Sequence, residues 1–206
     1  MCPSTALQFG VHYHIFNRGN NRENLFIEER NYRHFLALYG KYVHPVADAY
    51  AYCLLPNHFH LLVRIKTEEE LLSQPRPVRV SQDREVISPS RQFSHCFNAY
   101  AKAFNKAYMR TGSLLEKPFR RIPVTNSAYI AQLIVYIHQN PRKHGLVDDF
   151  QEWPYMSYHT LLSTKSTCLA RDDVLAWFDG RATLRARRQQ EPQEAQIAAL
   201  LLEDLS

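Results

Sequence analysis

The chain has 206 residues, of which 45% are hydrophobic and 12% aromatic, so it can form one folded domain with a substantial core. The sequence shows neither an apolar run of about eighteen residues nor a basic start followed by an apolar block, which argues against a membrane span and a signal peptide. The net charge is +5, and the four acidic residues after Gln190 have no basic counterpart, so the preceding body is more basic than the whole and suits a polyanion such as nucleic acid.

The spacing of apolar residues predicts elements in the order strand, helix, strand, strand, helix, strand, helix. The predicted ranges are a strand over 9–17, a helix over 27–44, a hairpin of strands over 46–55 and 58–66, a helix over 90–110, a strand over 119–124 and a helix over 126–141. The last helix is expected to end at Pro141, and the charged segment 67–90 is expected to be a surface excursion. This order favours an α+β fold with helices packed on an antiparallel sheet.

The stretch LLPNHFHLLV at 54–63 places two histidines, His58 and His60, in the second arm of the predicted hairpin. Residues two apart on a strand project from the same face, whereas Phe59 points to the other. The two imidazoles would then lie side by side, which is compatible with ordinary strand residues and with a site that binds one metal ion.

The last predicted helix carries Tyr136 and Asn140, which are four residues apart and share one face. A tyrosine offers a hydroxyl nucleophile, and an amide oxygen is an acceptable ligand for a hard metal. If this helix packs beside the strand of His58 and His60, the four side chains form a metal-assisted phosphoryl-transfer site. The plainer interpretation is that Tyr136 is a core residue of the helix and that Asn140 lies at an ordinary helix end.

These residues resemble a known family. PNHFHLLV is similar to the HUH motif of single-strand DNA transposases, and YIHQNPRKHGLV resembles the tyrosine helix and following turn of their REP-associated tyrosine transposase branch. The NRG turn near the N-terminus, the WPYMSY segment and the spacing are also similar, so the resemblance covers about residues 9–160. It implies a ferredoxin-like HUH endonuclease and transposase core over 1–160, followed by a C-terminal helical and basic extension over 161–206.

The resemblance also implies residue roles. His58 and His60 match the ligands of a catalytic Mg²⁺ or Mn²⁺, Asn140 matches the third ligand, and Tyr136 matches the single nucleophile. Enzymes of this kind cut single-stranded DNA beside imperfect hairpins, leave a 5′-phosphotyrosine and a free 3′-hydroxyl, and rejoin strands by reversing the attack. The implied partner is single-stranded DNA with hairpins, and no association with a membrane is expected. The protein is expected to be a monomer or a homodimer.

Basic residues are the candidate contacts to DNA phosphates: Arg18, Arg110, Lys117, Arg120, Arg121, Arg142, Lys143 and His144. For Arg110, Lys117, Arg120 and Arg121, the plainer interpretation is that their charges protect an exposed strand edge from pairing with another strand. For residues 142–144, it is a turn exposed to solvent. His12 and His14 form a second HxH pair, but they lack the Pro-Asn turn and the apolar continuation, so packing or DNA contact is favoured for them. His138 lies two residues from Tyr136, on the wrong face to join Asn140.

The sequence is compatible with two other functions. One is a non-catalytic hairpin-DNA-binding protein on the same fold, and the other is a metal-dependent hydrolase acting on another phosphodiester, including RNA. The complete set of His58, His60, Tyr136 and Asn140 argues against the first, because a binding protein has no need of a nucleophile. The four cysteines are widely spaced and form no CxxC pair, which favours reduced thiols in a cytoplasmic protein.

Overall fold

The computed structural model describes residues 6–74 and 88–187. Its centre is a four-stranded antiparallel sheet in the order β2-β3-β1-β4. The strands are β1 (His12–Arg18), β2 (Ala47–Leu55), β3 (His58–Ile65) and β4 (Arg120–Val124). The predicted α+β class and the predicted order of the main elements are confirmed.

Helices cover both faces of the sheet. They are α1 (Glu29–Tyr42), α2 (Glu68–Leu72), α3 (Pro89–Ala107), α4 (Ser127–Lys143), α5 (Tyr158–Leu162), α6 (Arg171–Trp177) and α7 (Arg181–Ala186), with 3₁₀ turns at Asn20–Arg22 and Phe150–Glu152. α1 and α3 share a core with one face of the sheet, and α4 shares a second core with the other face.

The two-residue period of the strands separates the two cores. Tyr13, Ile15 and Phe59 belong to the core of α1 and α3, whereas Leu62 belongs to the core of α4. All four side chains are buried, and each large apolar side chain removed from water stabilises the fold by about 1.5–3 kcal/mol. The sheet register is therefore fixed from both sides, and with it the face to which every strand histidine points.

The prediction that the last helix ends at Pro141 is wrong, because α4 continues to Lys143. Pro141 has no N–H to donate, but the amides after it still find acceptors. The His144 N–H donates to the Asn140 carbonyl and the Leu146 N–H donates to the Pro141 carbonyl, each at 2.9 Å. A proline close to the C-terminal end of a helix therefore removes one hydrogen bond without stopping the chain from winding.

The segment predicted as a surface excursion over 67–90 contains a short helix, α2. Thr67 caps its N-terminus: its side chain accepts from the Glu70 N–H, while the Glu70 carboxylate accepts from the Thr67 N–H. Residues 75–87 of the segment lie outside the described residues.

Part of the predicted extension packs against the body. Val174, Phe178 and Leu184 are buried in the core of α4, and Leu169 forms a parallel bridge with Ala49 of β2. The predicted C-terminal helix and the end of the basic segment lie outside the described residues. Within 6–74 and 88–187, none of the helices combines the length and the apolar character needed to cross a bilayer.

Candidate active site

His58 and His60 lie at the start of β3, on the face of the sheet that α4 covers. Their ring centroids are 5.2 Å apart with the ring planes at 89°. His60 is buried and His58 is half-buried. The structure therefore places the two imidazoles side by side, as the period of a strand requires.

α4 brings Tyr136 and Asn140 to the same place. The Tyr136 ring meets the His60 ring edge to face, with centroids 5.8 Å apart. Asn140 is fully buried, and its Nδ2 donates to the Tyr136 carbonyl at 2.9 Å. α4 therefore packs beside β3, the strand that carries His58 and His60. The sequence alone did not show that this helix and this strand are neighbours.

Nε2 of His60 and Oδ1 of Asn140 are buried at this site and have no hydrogen-bond partner within the described residues. A buried polar atom left unsatisfied costs about 1–3 kcal/mol, so a bound ligand at these two atoms would remove that cost. An imidazole nitrogen and an amide oxygen are both donors that a divalent cation accepts.

The metal would need a mixed set of ligands. Among residues 6–74 and 88–187, no three His, Cys, Asp or Glu side chains are grouped so as to hold a metal. A cation on His58 and His60 would therefore need its third ligand from another class of side chain, and Asn140 Oδ1 is a candidate. Two imidazole nitrogens and one amide oxygen would give a divalent cation three protein ligands and leave its other positions for substrate oxygens.

Burial holds the pKa of His60 well below its usual range, and the neighbouring His14, His58, His144 and Lys143 lower it further. Removing an imidazolium from water is costly, and nearby cations add repulsion. His60 is therefore neutral at physiological pH, which is the protonation state that binds a metal.

His14 is part of this site, although the sequence analysis assigned it to packing or DNA contact. It lies on β1, which pairs with β3, and its Nε2 is 3.0 Å from Nδ1 of His60. Both side chains are buried. The signal available in the sequence was that His14, like His60, occupies one face of a predicted strand, but only the strand order shows that the two strands are neighbours.

The two turns that flank the site are joined. The Gly19 N–H donates to the Asn57 carbonyl at 2.7 Å, and Asn57 Oδ1 lies 2.7 Å from His58 Nδ1. A Cβ added to Gly19 would lie 1.9 Å from the carbonyl oxygen of Glu23, so glycine is required there. The NRG and PN segments that carried the resemblance thus hold the first histidine in position.

Lys143 and His144 lie over the site rather than in a separate turn. Lys143 Nζ is 5.1 Å from the centroid of the Tyr136 ring, and the His144 ring is 4.7 Å from the His58 ring. Both positions follow from the continuation of α4 past Pro141. The sequence signal was the four-residue spacing of positions 136, 140 and 144 along one helical face.

Two other candidate DNA contacts share this side of the sheet. Arg18 is the register partner of His58, and its Nε donates to Glu116 Oε1 at 2.6 Å. Arg120 is exposed and is the register partner of Phe16, which in turn pairs with His60.

The remaining four candidates are bound to other residues or exposed to solvent. Arg110 forms an ion pair with Glu23, and Arg121 donates to Ser90 Oγ at 3.1 Å from the opposite face of the sheet. Lys117 is exposed beside α3, and Arg142 is exposed in the last turn of α4. The contact of these four residues with DNA stays a prediction.

The rival histidines pack into the body. The His12 ring lies 5.1 Å from the Tyr50 ring and 5.9 Å from the Trp177 ring. His138 Nε2 is 2.8 Å from Ser157 Oγ, and burial, with a smaller effect of His159, lowers the pKa of His138 to about 3. Neither histidine lies at the site of His60.

No family model matches the chain. A putative REP-associated tyrosine transposase of Haemophilus influenzae is 26% identical over 113 residues, which are 54% of this chain and 59% of that protein. A solved structure described as a REP-associated tyrosine transposase bound to a REP hairpin matches with a TM-score of 0.53 and 19% identity, over 78% of this chain and 83% of that chain. The chain is similar to REP-associated tyrosine transposases.

This similarity confirms the resemblance that the motifs predicted, and the solved structure shows the same fold. The sequence match spans about three fifths of the length of the curated relative. The hairpin in the solved structure is a partner of that protein.

Proposed function

We propose that the chain is a metal-dependent transposase or endonuclease that cleaves and rejoins single-stranded DNA next to hairpins through a 5′-phosphotyrosine intermediate. The observation that carries this proposal is the edge-to-face contact of Tyr136 with His60, at 5.8 Å between centroids. It supports the proposal because the phenol ring of the proposed nucleophile lies beside the neighbouring imidazoles of His58 and His60, near the unsatisfied amide oxygen of Asn140. The contact lies within one chain, which supports attack by the tyrosine of the same copy.

In the proposed reaction, the Tyr136 hydroxyl oxygen attacks a DNA phosphorus and the bond from phosphorus to the 3′ oxygen breaks. The phenol loses its proton and the released 3′ oxygen gains one, so the step is balanced without water or a nucleotide cofactor. The strand is left with a 5′-phosphotyrosine and a free 3′-hydroxyl. Attack of a 3′-hydroxyl on the phosphotyrosine restores the phosphodiester and the phenol.

A Mg²⁺ or Mn²⁺ held by His58, His60 and Asn140 would supply Lewis-acid stabilisation of the charge that develops on the phosphate oxygens. The protein's own cations support the same charge distribution. Lys143 lies above the Tyr136 ring, and Arg120 lies on the same face of the sheet, so both can bind phosphates next to the scissile one.

A second candidate function is hairpin binding without turnover. The observation that favours it is the burial of Tyr136, whose side chain is only 1% exposed. A nucleophile must reach phosphorus, so cleavage requires that DNA binding opens the site above this ring. A binding protein has no such requirement.

The deciding experiment uses labelled single-stranded oligonucleotides that carry a hairpin, incubated with the protein and Mn²⁺ or Mg²⁺ and resolved on a denaturing gel. The expected result is a covalent protein–DNA adduct that forms with metal and is lost with a chelator. Cleavage products without an adduct would indicate hydrolysis by another nucleophile. Retarded but intact DNA, without adduct or product, would support the binding protein.

A further inference from the structure

His14 and His60 form a buried hydrogen bond between two imidazoles. His14 Nε2 lies 3.0 Å from His60 Nδ1, and the two rings are nearly parallel at 19° with centroids 5.2 Å apart. The side chains are 1% and 3% exposed, so water does not compete for this bond. The Phe16 ring lies 4.7 Å from the His14 ring with the planes at 33°, and 5.9 Å from the His60 ring with the planes at 26°.

The bond between the rings constrains where the protons are. A neutral imidazole has one N–H and one nitrogen with a lone pair, so one ring must donate and the other must accept. If His60 Nδ1 donates, its Nε2 has the lone pair. If His60 Nδ1 accepts, its Nε2 carries the proton and cannot bind a cation.

The unsatisfied atom of His60 distinguishes these two states. His60 Nε2 is buried and has no hydrogen-bond partner within the described residues, on the side of the ring away from His14. A proton on that atom would be an unsatisfied buried donor, whereas a lone pair there can bind a metal. The Nδ1 atom of His58 also faces an acceptor, since it lies 2.7 Å from the amide oxygen of Asn57.

We infer that His14 is a positioning residue that accepts a hydrogen bond from His60 Nδ1–H and so keeps the Nε2 lone pair of His60 directed to a divalent metal. Partners of this kind orient a ligand histidine and fix its tautomer. For Nε2 of His14 to accept, its own proton must lie on Nδ1. The inference rests on the proposed function, because the metal is the one proposed above.

The test compares three variants with the wild-type chain. His14→Phe fills the space without an acceptor, and His14→Gln restores an acceptor, because its amide oxygen reaches about as far from the backbone as Nε2 of histidine. His12→Phe is the matched control, as it makes the same replacement two residues away on β1, where the ring packs against Tyr50 and Trp177.

The first measurement is the Mn²⁺ dissociation constant without DNA, from the loss of the free-ion EPR signal. We expect His14→Phe to weaken Mn²⁺ binding by about 10–100-fold, as loss of the partner of a ligand histidine does. His14→Gln and His12→Phe should stay within a few-fold of the wild type. Equal loss in the Phe and Gln variants at position 14 would overturn the inference, since it would show an effect of packing instead of an acceptor.

The second measurement is the tautomer of His60 in the metal-free protein, from long-range ¹H–¹⁵N correlation spectra at mildly alkaline pH. We expect an Nδ1–H tautomer in the wild type and in His14→Gln, and an Nε2–H tautomer in His14→Phe. An Nε2–H tautomer in the wild type would overturn the inference even if His14→Phe does not fold. This readout needs neither metal nor DNA, so it tests the inference separately from the proposed function. If the wild type has the Nδ1–H tautomer but forms no DNA adduct, only the proposed function is overturned.

Discussion

The ring of Tyr136 meets the ring of His60 edge to face, with the planes at 83°. The other tyrosine of α4 is Tyr129, which is 36% exposed and lies two turns earlier in the helix. The contact therefore selects one of the two phenols as the partner of the histidine pair.

Replacing Tyr136 with phenylalanine should eliminate the covalent DNA adduct, because the substitution removes the attacking oxygen and keeps the ring. Tyr129→Phe is the matched control and should form the adduct at the wild-type rate. Mass spectrometry of peptides from the trapped adduct locates the 5′-phosphate. A phosphate on any residue other than Tyr136 would show that the assignment of the nucleophile is wrong.

The sequence was sufficient to place His58 and His60 on one face of a strand and Tyr136 and Asn140 on one face of a helix, because strand and helix periods are local properties. It was not sufficient to identify His14, because the contact with His60 depends on β1 lying next to β3 in the sheet. The sequence also led to the prediction that His144 lies in a turn after the helix, because Pro141 was expected to end α4. Whether a helix ends at a proline depends on the acceptors available to the next amides, and these are set by the fold.

His58→Ala and His60→Ala should each abolish cleavage while hairpin affinity stays within a few-fold of the wild type. Ligands of a metal serve the chemistry, whereas contacts spread over many phosphates supply most of the binding energy. Gel assays of cleavage and fluorescence anisotropy of a labelled hairpin measure the two effects separately. His12→Ala is the control within the second HxH pair and should keep cleavage. Loss of cleavage in His12→Ala alone would move the metal to the other pair of histidines.

Asn140→Ala should raise the Mn²⁺ concentration that half-saturates cleavage, and adduct formation should recover when the metal is saturating. The reason is that Asn140 contributes one ligand oxygen, while the histidines and the nucleophile stay in place. The same change removes the bond from Asn140 Nδ2 to the Tyr136 carbonyl, so a thermal melt is needed to confirm that the helix persists. An adduct yield that stays low at every metal concentration would mean that Asn140 positions the nucleophile instead.

His138 should make the fold sensitive to acid. Burial lowers the pKa of His138 from 6.5 to about 3, so between these values the unfolded chain binds a proton that the folded chain does not. The free energy of unfolding therefore falls as pH decreases through this range, by up to about 1.4 kcal/mol per pH unit for this group. Above pH 6.5 both states are neutral at this position and the dependence disappears.

His138→Gln should flatten the decline in stability between about pH 6 and pH 4, measured by urea unfolding with a chelator present so that metal binding does not contribute. His95→Gln is the matched control, because His95 is exposed on α3, and its profile should follow that of the wild type. An unchanged slope in His138→Gln would mean that His138 takes up a proton in the folded state with little cost.

Lys143 should contribute one phosphate contact to hairpin binding. It is exposed in the last turn of α4, and its ammonium lies over the Tyr136 ring at the surface of the site. Each neutralised phosphate releases counterions, so the logarithm of the affinity falls linearly with the logarithm of the salt concentration. Lys143→Gln should reduce this slope by about one unit and weaken binding to hairpins of different sequence by a similar factor. Lys41→Gln removes the same charge from an exposed lysine of α1, across the sheet from the site, and should leave the slope unchanged.

The wild type should prefer a single strand with a hairpin over blunt duplex of equal length at the same salt, because a site at the foot of a hairpin requires an unpaired strand. Equal slopes for the two lysine variants, together with equal affinity for blunt duplex, would show that the DNA lies on another surface of the molecule.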